Sequence, residues 1–149
     1  MALETILLAL GPNDNDRADA LVDFVSDIAG PANATVALAH VYTEDEFREA
    51  ATRLEFADHQ DATAIEVAKR LSVIRDIGDE LDDAGIDFHV TSQIGEHGES
   101  IVDLSTVEDA DLVVVGGRKR SPTGKAIFGS TAQQVMLEST TPVTFVRGD

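Results

Sequence analysis

The sequence predicts an α/β domain built on a single, doubly wound five-stranded parallel sheet with helices on both faces. Three observations lead there. Strand-like and helix-like hydrophobic periods alternate along the chain, with no repeat, low-complexity tract or dividing linker. Two continuous apolar runs, residues 5–10 and 112–115, have the pattern of strands covered on both faces, and each is followed by a glycine loop. The chain is 149 residues long and 43% hydrophobic, which suits one globular domain over 1–149 that needs no metal or disulfide staple.

The elements follow in order. Thr5 to Leu10 is the first strand and a central one, broken by Gly11-Pro12-Asn13. From Asp14 a helix carries Ala18, Leu21, Val22, Val25, Ile28 and Ala29 on one face, and Gly30-Pro31 is expected to stop it. Thr35 to Tyr42 is a second buried strand. The acidic stretch 43–59 is the least informative, with room for a short helix. One long helix is then expected, with Ala64, Val67, Leu71, Ile74, Gly78 and Leu81 spaced by three and four and an end near Gly85. Gly78 on its apolar face implies close packing. Residues 86–91 alternate apolar and polar, which suits an edge strand, and Gly95 ends it. A short helix bearing Ile101 and Leu104 leads to the second central strand, Asp111 to Val115. Ser130 and Gln133 stand at capping-box spacing before a helix with Ala132, Val135 and Met136, and residues 142–147 form the last strand.

Charge narrows the function. Asp and Glu number 28 against 11 Lys and Arg, a formal charge of -17 that repels DNA phosphates and anionic membranes, so neither nucleic acid nor membrane is an expected partner. The acids are spread along the chain, and only three of the cations are Lys. Such a surface suits a cytoplasm of molar salt, where screening relieves self-repulsion; an acidic face for a partner is the alternative. The start lacks the basic region of a signal peptide, and no apolar run approaches a membrane span, so a cytoplasmic protein is expected. The absence of cysteine excludes disulfides and thiolate chemistry.

One segment departs from the average. Residues 112–137 contain no acid and carry Arg118, Lys119, Arg120 and Lys125, a charge of +4 against -21 for the rest. In an α/β sheet, ligands bind beyond the carboxyl ends of the strands where the winding reverses. The loops Gly11-Pro12-Asn13 and Gly116-Gly117 are expected to face each other there, with Gly129-Ser130-Thr131 opening the next helix. Free helix amides, the helix dipole and two hydroxyls would hold phosphate. Pairing of the cations with acids from elsewhere, and simple capping by Ser130, are the structural alternatives. Neither a P-loop nor GxGxxG is present.

These residues give the chain a resemblance to the universal stress protein family over essentially its whole length. It is carried by Ile6-Leu7-Leu8-Ala9-Leu10, His40-Val41, Gly95-Glu96 before Glu99-Ser100-Ile101, Val113-Val114-Val115-Gly116 through Gly129-Ser130, and Pro142-Val143. The resemblance implies a Rossmann-like sheet of strand order 3-2-1-4-5. It also implies ATP binding, with Mg, AMP or ADP as related ligands, and a homodimer joined through the last strand. The ATP-binding branch spaces Gly, two residues, Gly, nine residues, then Gly-Ser or Gly-Thr. Here Gly116, Lys119 and Gly129-Ser130 hold those places, so Lys119 replaces the middle Gly. The family's Asp after the first strand is Gly11 here, and Asp14 reads as too far along to take its role. By resemblance Val41 lines the adenine pocket, and Gly116, Gly129, Ser130 and Thr131 hold phosphates and ribose. Gly11, Pro12, Asn13, Val115, Arg118 and Lys119 complete the nucleotide site. Val143, Thr144, Phe145 and Val146 form the dimer edge, which the sequence supports independently, since an uncovered apolar edge strand invites pairing.

The resulting reading is a nucleotide-responsive regulatory or protective module with an unidentified protein partner. The alternative is a dimeric interaction module that has lost nucleotide binding. An enzyme is disfavoured, because His40, His59, His89 and His97 are scattered without a metal-like pair or a partner acid at defined spacing. No catalytic or metal residue is assigned. A phospho-receiver would need acids where Leu10-Gly11 and Gln93-Ile94-Gly95 stand, and a flavin carrier is poorly served by one Tyr and no Trp.

Overall fold

A computed structural model describes residues 2–11, 14–55, 63–118 and 129–148. Five strands, β1 (Thr5–Ala9), β2 (Thr35–Tyr42), β3 (Phe88–Ile94), β4 (Leu112–Arg118) and β5 (Val143–Gly148), form one sheet. Its order is β3-β2-β1-β4-β5. Every pairing is parallel, with Leu7 opposite both Ala37 and Val113. Around it lie α1 (Ala18–Ala32), α2 (Glu44–Arg53), α3 (Ala64–Ala68), α4 (Ser72–Asp83), α5 (His97–Val107) and α6 (Ser130–Glu138).

The apolar runs are central because both their faces are covered. Ile6, Leu8 and Leu10 pack into the larger core with α1, α2, α3 and α4, while Leu7 and Ala9 pack with α5 and α6. Ile6, Leu7, Leu8, Val113 and Val114 are fully buried, each burial contributing about 1.5–3 kcal/mol. β3 and β5 are the edges, as alternation and the chain's end imply. Gly78 is needed by close approach, since a Cβ there would fall 2.9 Å from the Phe88 ring.

Three local expectations are corrected, and the short helix allowed for after residue 43 is found. The helix after β1 begins as a 3-10 turn over Asp14–Arg17, and α1 continues through Gly30 and Pro31 to Ala32. Pro31 sits in the last turn, where it forfeits only one bond to a carbonyl, and Asn33 in the left-handed conformation closes the helix. The single helix expected over 64–85 is two. The amides of Arg70 and Leu71 tighten to Val67 and Ala68, and Leu71 is then extended (φ -70°, ψ 138°) while its side chain stays buried. The three-and-four spacing runs unbroken across this elbow, so periodicity does not reveal it. The stretch after residue 43 forms α2, held by a capping box in which Thr43 and Glu46 satisfy each other's amides. That signature, Thr43-Glu44-Asp45-Glu46, is legible in the sequence. Finally, Ser130 does not cap α6. Gly129 is the cap residue, without a side-chain hydrogen bond, and Ser130 is the first helical residue.

Candidate functional site

The carboxyl ends of β1, β2 and β4 open into a cavity of about 950 Å³, near the top of the range of about 300–1,000 Å³ for small-molecule sites. It lies where the winding reverses between β1 and β4. Of the expected site residues, Gly11, Val41, Val115, Gly116, Gly129, Ser130 and Thr131 all line it. Arg118 ends β4. Pro12, Asn13 and Lys119 lie outside the described residues, as do Arg120, Gly124 and Lys125.

The amino end of α6 meets the cavity without a side-chain cap and without an acid in its first turn. Its first amides therefore have no intrahelical acceptor, and the positive end of the helix dipole faces the cavity. Gly116 lies beside β1's end, where an added Cβ would fall 2.9 Å from Arg17 Cδ and 3.1 Å from Asp14 Oδ1.

Asp14 lies closer to the end of β1 than its place in the sequence suggests. The 3-10 turn folds it back so that its Oδ2 accepts the Gly11 amide at 2.6 Å, while Oδ1 pairs with Arg17. Both side chains are buried and line the cavity. An acid three residues late in sequence thus stands at the end of β1 in space.

His97 gains the partner acid that local spacing does not supply. Its Nε2 lies 2.6 Å from Glu46 Oε1, joining the starts of α5 and α2 at the cavity wall. Burial pushes the Glu46 carboxyl up, but the Thr43 amide and His97 outweigh it and hold the group below its ordinary range. Glu46 is thereby committed to a structural role.

His40 faces the larger core's side of β2, on the opposite face from Val41. Its Nδ1–H donates to the Leu10 carbonyl at 2.9 Å, and its ring meets Tyr42 edge-on with centroids 4.5 Å apart. Burial lowers its pKa, against the carbonyl bond and the charges of Glu46 and Asp14, with His97 reinforcing the lowering. A histidine depressed in the folded state contributes stability above its unfolded value of about 6.5 and loses it as pH falls. The stability advantage of the wild type over His40→Asn, measured by urea denaturation, is therefore expected to narrow between about pH 7.5 and about pH 5.5. A constant difference would show that His40 titrates alike folded and unfolded.

Among the described residues no group of three or more His, Cys, Asp or Glu is placed to hold a metal ion. No described helix is long and apolar enough to cross a membrane. Val143, Thr144, Phe145 and Val146 lie half-buried on the edge strand β5, whose outer side has no strand partner among the described residues.

Comparison with known proteins agrees with this architecture. Residues 3–147 match the model of the universal stress protein family. A universal stress protein of Mycolicibacterium smegmatis is 34% identical over 79 residues, a stretch covering 52% of this chain and 61% of that protein. The structure of a universal stress protein from Archaeoglobus fulgidus superposes with a TM-score of 0.72 at 27% identity, covering 97% of this chain and 98% of that one. A second Archaeoglobus fulgidus universal stress protein, in complex with dAMP, superposes with a TM-score of 0.69 at 19% identity, covering 99% and 100%. At that identity the likeness shows the fold.

Proposed function

The chain belongs to the universal stress protein family, and from that premise we propose that it is a nucleotide-binding regulatory or protective module, not an enzyme, with ATP as its nucleotide and AMP or ADP as related ligands. One observation carries the reading: the uncapped, acid-free amino end of α6 facing a large cavity at the sheet's reversal point. In a chain of charge -17, leaving that helix end open to an anion is a specific feature. The dAMP held by the second Archaeoglobus fulgidus protein supports the ligand class.

In this reading Ser130, Thr131 and Gly129 hold phosphates and ribose with Gly116, and Val41 and Val115 line the base pocket. Gly11, Pro12 and Asn13 contribute the first loop, and Arg118 and Lys119 offset triphosphate charge, with Mg as counter-ion. The single domain works as a cytoplasmic homodimer through Val143, Thr144, Phe145 and Val146, since pairing two β5 edges removes an exposed apolar strand. The protein partner it would regulate is not specified by these features.

The acid coat fits folding in molar salt. Burial first, then the neighbouring carboxylates of Asp19, Asp23 and Asp76, hold the Glu80 carboxyl on α4 above its ordinary range. Screening relieves such repulsion, so the melting temperature is expected to rise between low and molar KCl, followed by circular dichroism. A flat profile would remove the salt argument.

The deciding experiment is calorimetric titration with Mg-ATP in molar KCl. Saturable heat near one site per subunit is expected. No heat from folded, dimeric protein would overturn nucleotide binding and favour the nucleotide-independent interaction module.

A further inference from the structure

β2 ends in His40, Val41 and Tyr42, and all three line the cavity. Successive strand residues point to opposite faces, so Val41 stands on one side of the strand's end and His40 on the other. The His40 imidazole is fixed in one orientation. Its Nδ1 lies 2.9 Å from the Leu10 carbonyl, and Leu10 is itself anchored by its amide, which donates to the Ala39 carbonyl at 2.8 Å. The ring meets Tyr42 edge-on, and Tyr42 is held in turn against Phe47 with ring centroids 5.6 Å apart. Ser92 Oγ donates to the His40 carbonyl at 2.7 Å and ties the backbone as well.

These contacts decide the tautomer. A carbonyl oxygen only accepts, so Nδ1 carries the proton and Nε2 of the neutral ring is left as an acceptor. Among the described residues nothing hydrogen-bonds Nε2, and unlike the Tyr42 hydroxyl this atom is not sealed from solvent. Burial favours the neutral ring and His97 reinforces it, against the Leu10 carbonyl, Glu46 and Asp14. Both of those acids are engaged elsewhere, Glu46 by Thr43 and His97 and Asp14 by Gly11 and Arg17. The cavity therefore holds a preoriented acceptor that the fold itself does not use. Its place in the sheet selects the donor. β4, which leads into α6, is separated from β2 by β1 alone, so His40 lies two strand spacings, about 9–10 Å, across the sheet from β4. A nucleotide with its phosphate at α6 then brings its base, not its phosphate, to the end of β2.

We propose that His40 Nε2 accepts a hydrogen bond from the exocyclic 6-amino group of an adenine base, which makes His40 the residue that selects amino-purines over oxo-purines. The inference rests on the nucleotide reading of the α6 end and adds the contact that reads the base. Val41 gives the base an apolar side, and His40 gives it one directional contact. An oxo group at the same position sets acceptor against acceptor, and protonation of Nε2 sets donor against donor, so the preference depends on a neutral ring.

The test is calorimetric titration of the full chain at about pH 8, where the ring is neutral. The ligands are AMP, inosine 5′-monophosphate and purine riboside 5′-monophosphate, which lacks only the amino group. AMP is expected to bind about tenfold more tightly than the purine riboside nucleotide, the scale of one hydrogen bond, and the inosine nucleotide no better than the latter. His40→Asn keeps a donor for the Leu10 carbonyl but does not reach the place of Nε2, so the ratio of AMP to purine riboside affinity is expected to fall toward one. In the wild type the same ratio is expected to fall between about pH 8 and about pH 5 as Nε2 gains a proton, since the phosphate titrates alike in both ligands. This profile decides the matter even where His40→Asn fails to fold, and a purely structural histidine would not move it. Equal affinities in the wild type, a ratio that ignores pH, or an undiminished ratio in folded His40→Asn would each overturn the role of His40 and leave the nucleotide reading standing. Failure of every ligand to bind folded wild-type protein would overturn the nucleotide reading and this inference with it.

Discussion

Replacing Asp14 by Ala is expected to destabilise the protein by about 3 kcal/mol, because it removes one partner of a buried ion pair and leaves the other in place. Asp14 is 5% exposed and Arg17 is 9% exposed. The carboxylate also accepts the Gly11 amide, so the end of β1 loses its anchor at the same time. For a chain of this length each kcal/mol moves the melting temperature by about 2–4 °C, giving a drop on the order of 6–12 °C. Asp14→Asn separates the contributions. Its amide oxygen still accepts from Gly11, whereas the charge opposite Arg17 is gone, so its loss should be smaller than that of Asp14→Ala. Thermal melting of the three proteins in one buffer checks the order; an unchanged midpoint in Asp14→Ala would mean that the pair contributes nothing to the fold. The same carboxylate packs against Gly116, so Asp14 couples the ends of β1 and β4 at the floor of the cavity.

Ser130→Glu is expected to cost at least about 100-fold in nucleotide affinity without loss of stability. The residue is exposed and is the first of α6, so a longer side chain meets no packing. A carboxylate in a helix's first turn is favourable by about 0.3–1 kcal/mol, so the fold should hold or gain slightly. The same charge occupies the place proposed for phosphate, and two anions there repel. Ser130→Ala removes only a hydroxyl and should cost about tenfold, the scale of one hydrogen bond. Calorimetry with Mg-ATP beside thermal melting reads both effects. Retained affinity in a folded Ser130→Glu protein would place the nucleotide elsewhere or nowhere.

The two substitutions also show what was legible. Ser130 stands out from sequence, because an acid-free segment ending in Gly-Ser before a helical period marks an open helix terminus. The cap itself lies one residue earlier than the spacing implies, since it is set by one φ,ψ choice at Gly129 that hydrophobic spacing does not encode. Asp14 was legible only as an acid too late in the chain, and Glu46 and His97 stand 51 residues apart, so no local spacing could pair them. The division between α3 and α4 is hidden for a further reason: the elbow at Leu71 keeps its side chain in the core, and the three-and-four pattern passes over it.

By itself, then, the sequence determined the architecture. Runs such as Ile6-Leu7-Leu8 and Val113-Val114-Val115 have apolar atoms facing both ways and are stable only at the centre of a covered sheet. Alternation with helices then leaves parallel, right-handed winding as the economical arrangement. Only the tertiary structure decided which side chains share the cavity. The crossovers bring together residues from β1, β2, β4, α2, α4, α5 and α6, and that convergence depends on helix ends and backbone turns. Burial is written as a local period along the chain, whereas a site is a meeting of positions far apart in it.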